Sequence, residues 1–157
     1  MKRLTPEQAL TKIYHYCAYQ ERSHYEVKQK LFSFGLYASE VDALLAQLVN
    51  EGFLNEERFA RAFAGGKFRI MQWGRLKIVQ ALEAHRLSTY CIKSGLAEIP
   101  EADYQHTLLA LLTKKWESTR GNNIFEKKQK VARYAIGRGF EPELVWQQLK
   151  TLAPDTV

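Results

Sequence analysis

This chain of 157 residues has little of what builds metal sites, disulfide frameworks, membrane spans or catalytic centres. Its two cysteines, Cys17 and Cys91, lie 74 positions apart with no second cysteine or histidine pair at ligand spacing near either. That excludes a cysteine-based metal motif and a disulfide scaffold, and both residues are expected to be small core side chains. His15, His24, His85 and His106 are isolated on helical patterns, so no metal is expected. No apolar run approaches the ~20 residues of a membrane span, and the N-terminal MKRLTPEQALTK enters an amphipathic pattern without a signal-peptide core. A cytoplasmic protein away from membranes is expected. Gly65-Gly66-Lys67 lacks the spacing and the Ser or Thr of a phosphate-binding loop, and there is no H-E-x-x-H, C-x-x-C or G-x-S-x-G. Neither an enzyme nor a cofactor is expected.

What the chain does have is apolar content of 46%, enough to fold, and a net charge of +6 that is unevenly spread. The window Arg58 to Arg86 holds seven basic residues against Glu83 alone, Lys114 to Arg138 holds eight against two acids, and the remainder sums to −6. Two basic blocks on an acidic frame point to a polyanionic partner, or to a partner with anionic surfaces.

Helix start and stop signals run through the whole length. Thr5-Pro6-Glu7-Gln8 combines an N-cap, a proline at N1 and a glutamine at N3, and Ser23 with Glu26 repeats the capping box. Ser39 with Asp42 is expected to start a third helix that ends at Gly52-Phe53. A glycine followed by a large apolar residue is the signature of a helix end closed by a left-handed residue, and it recurs at Gly139-Phe140. Asn55 caps a fourth helix, which Gly65-Gly66 is expected to weaken or bend. Further helices begin at Trp73-Gly74, Ser88, Pro100, Asn123 with Glu126, and Glu141-Pro142. Apolar residues fall at helical rather than alternating spacing, so no strand is expected.

The pattern repeats. Shifted by 51, Val27, Leu31, Leu36, Val41, Leu45 and Leu48 fall on Ile78, Leu82, Leu87, Ile92, Leu96 and Ile99. Shifted by 104, Gly35, Leu36, Val41, Leu45 and Leu48 fall on Gly139, Phe140, Val145, Leu149 and Leu152. The expected fold is all-α: three tandem three-helix repeats, 5–53, 54–99 and 100–153, stacked into an elongated, curved array.

Functional side chains are sought where basic residues meet aromatic ones. On the helix after Asn123, Lys127, Lys130, Arg133 and Arg138 spread over one side with Tyr134 among them, while Phe125, Ala132 and Ile136 cover the other. Such a face grips phosphates or an acidic protein surface. Lys67 and Arg69 follow the two glycines and are expected to adapt to a partner. Arg75 is expected to lie along its own helix, and Phe59 and Phe63 to belong to the core.

The stretch Leu54-Asn55-Glu56-Glu57-Arg58-Phe59, followed by Gly74, Lys77, Ile78 and Leu82, resembles the RecX family of RecA regulators, with its L-(D/N)-(D/E)-x-R-F and G-x-x-R-I-x-x-x-L segments. Lys114-Lys115-Trp116, Phe125-Glu126-Lys127 and Arg138-Gly139-Phe140 carry the likeness onward, so that it spans roughly Ser23 to Leu149. The chain departs from the pattern at Arg75, where the family has proline, at Ala81, where it has an acid, and at Lys77, where lysine keeps the arginine's charge without its bidentate fork. The resemblance implies a non-enzymatic monomer that binds the RecA–DNA filament along its groove. It further implies inhibition of RecA's ATPase, strand-exchange and co-protease activities in recombination, DNA repair and the SOS response. The partner is then RecA, with single- or double-stranded DNA beside it, and the contacts Lys67, Arg69, Lys77, Lys127, Lys130, Arg133, Tyr134 and Arg138. The competing reading from the residues is a stand-alone helix-turn-helix-like DNA-binding protein.

Overall fold

In the computed structural model, which describes residues 3–154, the chain is all-helical: the described residues form nine α-helices and no strand. They are α1 Pro6–Tyr19, α2 His24–Ser33, α3 Ala38–Asn50, α4 Glu56–Met71, α5 Arg75–Ala84, α6 Thr89–Leu96, α7 Glu101–Ser118, α8 Ile124–Gly137 and α9 Pro142–Leu152. No helix among the described residues is long and apolar enough to cross a membrane.

The helix starts are where the capping residues put them. Thr5 accepts from the Gln8 amide while the Gln8 side chain accepts from the Thr5 amide, and Ser23 and Glu26 do the same for α2. Asn55 accepts from the Arg58 amide and Asn123 from the Glu126 amide. The third helix differs from expectation. It begins at Ala38, because Glu40 reaches back to the Tyr37 amide at 2.8 Å and takes the role assigned to Asp42.

Two compact units follow from the packing. One comprises Met1–Phe63 with Leu82–Gly95, the other Ala64–Ala81 with Leu96–Val157. In the first, Ile13 and Cys17 of α1, Val27 and Leu31 of α2 and Val41, Leu44 and Leu48 of α3 form one buried cluster with Leu36 and Leu54. Burial pushes the Cys17 thiol up to about 11, which leaves it protonated and inert at neutral pH. Cys91, also expected in the core, is only partly buried. In the second unit α7, α8 and α9 pack on one another around Tyr104, Leu108, Leu112, Val131, Phe140, Val145 and Leu149.

The repeat found in the sequence is visible in backbone conformation. Gly35, Arg86 and Gly139, related by shifts of 51 and 104, follow α2, α5 and α8 with φ of +86°, +65° and +101°. Beyond each, Leu36, Leu87 and Phe140 are buried, the Leu87 amide reaching the Leu82 carbonyl and the Phe140 amide the Ala135 carbonyl. The middle turn thus carries an arginine where the other two carry glycine.

Gly65-Gly66 does not interrupt α4, which runs unbroken for 16 residues. Buried Phe59 and Ala60 on one side of the glycines and Ala64 and Phe68 on the other hold the helix through the weak point, so packing outweighs the ~1 kcal/mol propensity cost of each glycine.

The tightest junction is in the second unit, where the start of α5 meets the turn between α8 and α9. The Gly74 amide donates to the Arg138 carbonyl at 2.8 Å, the Leu76 amide to the Gly139 carbonyl at 2.9 Å, and the Arg75 amide to the Tyr104 hydroxyl at 2.9 Å. Donors orphaned at a helix N-terminus therefore meet acceptors orphaned at a helix C-terminus. A Cβ on Gly74 would lie 2.2 Å from the Gly139 carbonyl carbon, and one on Gly139 would lie 2.4 Å from the Lys77 Cβ.

Three stability predictions arise from these backbones, all read by chemical denaturation. Gly66 sits in an interior helical turn with open space around its absent Cβ. Gly66→Ala should therefore gain ~0.5–1 kcal/mol, whereas Gly74→Ala should lose ~3 kcal/mol by prising two backbones apart. A loss at Gly66 would contradict the continuous α4. Arg86→Gly relieves a left-handed conformation that costs a non-glycine residue ~1–2 kcal/mol and gives up an exposed stacking of Arg86 on Tyr25, 5.0 Å from the ring centre and worth ~0.5–1 kcal/mol. The net expectation is a gain of ~0.5–1 kcal/mol; an unchanged or lower stability would show that the turn is not strained.

Candidate partner-binding surface

Several basic residues of the Arg58–Arg86 block are held by the fold itself. The Arg58 guanidinium binds the Glu21 carboxylate at 2.6 Å and the Gly52 and Phe53 carbonyls, and Arg61 binds Glu57 and Ser94. Arg75, expected to lie along its own helix, instead crosses to other elements. It pairs with Glu101 and with Glu141, the latter at 3.1 Å, and its guanidinium covers the Tyr104 ring at 3.7 Å. The buried Tyr104 hydroxyl donates to Glu141, and burial, with the neighbouring Glu141 carboxylate, raises its phenol far above the ordinary range. A hydrogen bond from Gln105 and the nearby Arg75 charge hold the Glu101 carboxyl below its ordinary range. Arg75 is thus a structural cation.

The eight residues singled out from the sequence all lie in the second unit. Lys67 and Lys77 approach the Trp73 ring, at 4.9 and 4.6 Å from its centre. The ring is partly buried, and the ammonium groups gather over an indole presented by the turn between α4 and α5. Arg69 is exposed on α4, its guanidinium folded back over Gly65, and it borders a hollow with Phe68, Gln72, Asp103 and His106. Phe68, in the same basic stretch, is core: it is buried and its ring meets Tyr104 at 5.8 Å.

On α8 the projected face divides. Lys127 lies over Trp116 at 4.3 Å, and Lys130 donates to the Arg120 carbonyl at 2.9 Å and pairs with Glu126 at 3.3 Å. Arg133 is exposed, and Tyr134 carries the Lys115 ammonium 4.5 Å from its ring centre. Arg138 turns away from this group and donates to the Met71 carbonyl at the end of α4, so its side chain belongs largely to the junction at Gly74. The apolar side also differs from projection. Phe125 is 68% exposed, Ile136 is half-buried, and the buried face runs through Lys128, Val131, Ala132 and Ala135, with Lys128 only 5% exposed. Phe125 lies in the first turn of α8 with its ring largely in solvent, whereas the aliphatic stem of Lys128 falls on the packed stripe.

Two adjoining hollows lie between the last turns of α7 and the exposed side of α8. One, of about 330 Å³, is lined by Gln72, Leu111, Lys114, Lys115, Ser118 and Tyr134, among others. The second, of about 480 Å³, adds Thr119, Arg120, Lys130 and Arg133 to the shared Lys115, Ser118 and Tyr134. Five cations line the pair and no carboxylate does. The Lys130–Glu126 pair is a surface contact of the kind worth ~0–1 kcal/mol, too little to withhold Lys130 from an anion. Lys114, Lys115 and Arg120 are not among the eight contact residues expected from the sequence. The charge of the Lys114–Arg138 block contained the signal, but a projection of α8 alone has no place for cations from the end of α7.

No group of three or more His, Cys, Asp or Glu residues among those described is placed to hold a metal ion. Nearest to one are the pairs His24–Glu56, at 3.3 Å, and His85–Glu26, at 3.7 Å, where His85 also meets the Ser23 hydroxyl at 2.8 Å and packs on Phe59 and Phe63. These are contacts within the first unit.

Comparison with known proteins agrees with this architecture. Residues 55–96 match the family model described as RecX, second three-helix domain, and residues 101–149 match RecX, third three-helix domain. Regulatory protein RecX of Pasteurella multocida is 30% identical over 127 residues, covering 80% of this chain and 76% of the relative. Regulatory protein RecX of Ralstonia pickettii is 31% identical over 133 residues, covering 83% and 79%. The crystal structure of RecX from Lactobacillus salivarius superposes with a TM-score of 0.84 at 16% identity, over 94% of this chain and 96% of that one, a likeness of fold. With two family models covering more than half its length and relatives at 30 and 31% identity matched over three quarters of their own length, the chain belongs to the RecX family of regulatory proteins.

Proposed function

We propose that this protein is a non-enzymatic regulator that binds the RecA–DNA filament along its helical groove and lowers RecA's ATP hydrolysis, strand exchange and co-protease activity. It acts as a monomer in the cytoplasm, in recombination, DNA repair and the SOS response. Membership of the RecX family supports the RecA part of this reading. The observation that carries the contact part is the basic lining of the α7–α8 hollows, five cations without a carboxylate, in the same unit as the Lys67–Trp73–Lys77 group. A filament offers phosphates and acidic protein surfaces repeated along its length, and each basic group contributes a moderate, salt-sensitive attraction. Several such contacts on one chain act together through their effective concentration.

The test is ATP hydrolysis by RecA on preformed single-stranded DNA filaments. Adding the protein should depress turnover, and the variant with Lys127→Glu, Lys130→Glu and Arg133→Glu should need ~10-fold more protein for the same effect while keeping its helical content. Unchanged turnover at saturating protein would sink the reading. Tight, sequence-preferring binding to duplex DNA without RecA would move it to a stand-alone DNA-binding protein.

A further inference from the structure

From the paired hollows between α7 and α8 we infer that this site takes a nucleoside phosphate, with the phosphates held by Lys115, Arg120, Lys130 and Arg133 and the base stacked on Tyr134. The inference deepens the proposed function by naming the ligand chemistry of one part of its basic surface, and it rests on that reading for its biological setting only.

Three observations favour this chemistry. The first is size: volumes of about 330 and 480 Å³ fall within the ~300–1,000 Å³ of small-molecule sites, and the two spaces share Lys115, Ser118 and Tyr134. The second is charge. The C-terminus of α7 brings about half a negative charge to the site, but its Lys115 carbonyl already accepts from the Ser118 and Thr119 hydroxyls, and five cations stand against it. The cations decide the sign. The third is the ring. Tyr134 is 39% exposed and the Lys115 ammonium lies over it 4.5 Å from its centre, so a flat π-system and a positive charge adjoin, and a stacked base takes the ammonium's place as Lys115 turns to a phosphate. Lys130 ties the Arg120 carbonyl to α8, which fixes the connecting turn as one wall. An acidic protein segment would satisfy the charge, but the hollows offer it few apolar anchors beyond Ala110, Leu111 and the tyrosine.

The experiment is a titration of the isolated full-length protein, without RecA, followed by two-dimensional NMR of the amides. The probes are ATP, inorganic tripolyphosphate, a thymidylate tetramer and a glutamate-rich peptide of charge equal to ATP. ATP and the tetramer should move the Lys115, Arg120 and Tyr134 signals. Tyr134→Ala should weaken both by ~10-fold while leaving tripolyphosphate unchanged, Tyr134→Phe should restore them, and Arg133→Glu should weaken all three. Equal or tighter binding of ATP than of the tetramer assigns the site to free nucleotides; a tetramer at least ~10-fold tighter assigns it to a single strand. If Tyr134→Ala leaves nucleotide binding unchanged, or weakens tripolyphosphate equally, the stacking site is wrong. Binding of the peptide as tight as that of ATP would overturn it in favour of an acidic protein partner. Because RecA is absent, these outcomes are separable from the ATPase result: suppression of RecA without nucleotide binding would remove only this inference.

Discussion

Two backbones in van der Waals contact, at Gly74 and Gly139, set the geometry of the second unit. The amides of Gly74 and Leu76 at the start of α5 have no partners within their own helix, and they are satisfied by the carbonyls of Arg138 and Gly139 just past the end of α8. A side chain at either glycine would separate them and leave buried donors unpaired, each at a cost of ~1–3 kcal/mol. The turn that carries Trp73, and with it Lys67 and Lys77, is built onto this junction. Arg138 reinforces it from the other side through the Met71 carbonyl. Arg75 and Tyr104 extend it into a network with Glu101 and Glu141.

Charge alone is a poor guide to a binding surface. Arg58, Arg61 and Arg75 occur in one of the two basic blocks of the chain, yet each has a carboxylate partner and a place in the packing. The α7–α8 hollows are different because, the surface pair Lys130–Glu126 apart, their cations line a space that no acid lines. Where a cation is already neutralised, a partner must compete for it; where it stands among like charges, an anion relieves their repulsion.

Most of the fold could be read from local chemistry. The caps at Thr5, Ser23, Asn55 and Asn123 act over three residues, and the left-handed turns at Gly35 and Gly139 need a residue type that the sequence displays. What could not be read depends on distant partners. Tyr37 and Glu40 cap α3 in place of Ser39 and Asp42. Gly65-Gly66 looks like a joint until the buried flanks of α4 are known. Periodicity placed Phe125 inside and left Lys128 unremarked, because a projection of one helix does not show which turns have neighbours. The site was legible in part for the same reason: Lys130, Arg133 and Tyr134 share a helix, whereas Lys114, Lys115 and Arg120 join them only through packing.

The central claim, that the basic surface of the second unit is what meets the filament, is tested most directly by amide hydrogen exchange of this protein with and without RecA assembled on single-stranded DNA. Slowed exchange is predicted at the turn around Trp73 and along 114–134, with little change in α1 to α3. Protection confined to α1–α3, with the α7–α8 hollows exchanging as in the free protein, would contradict the account.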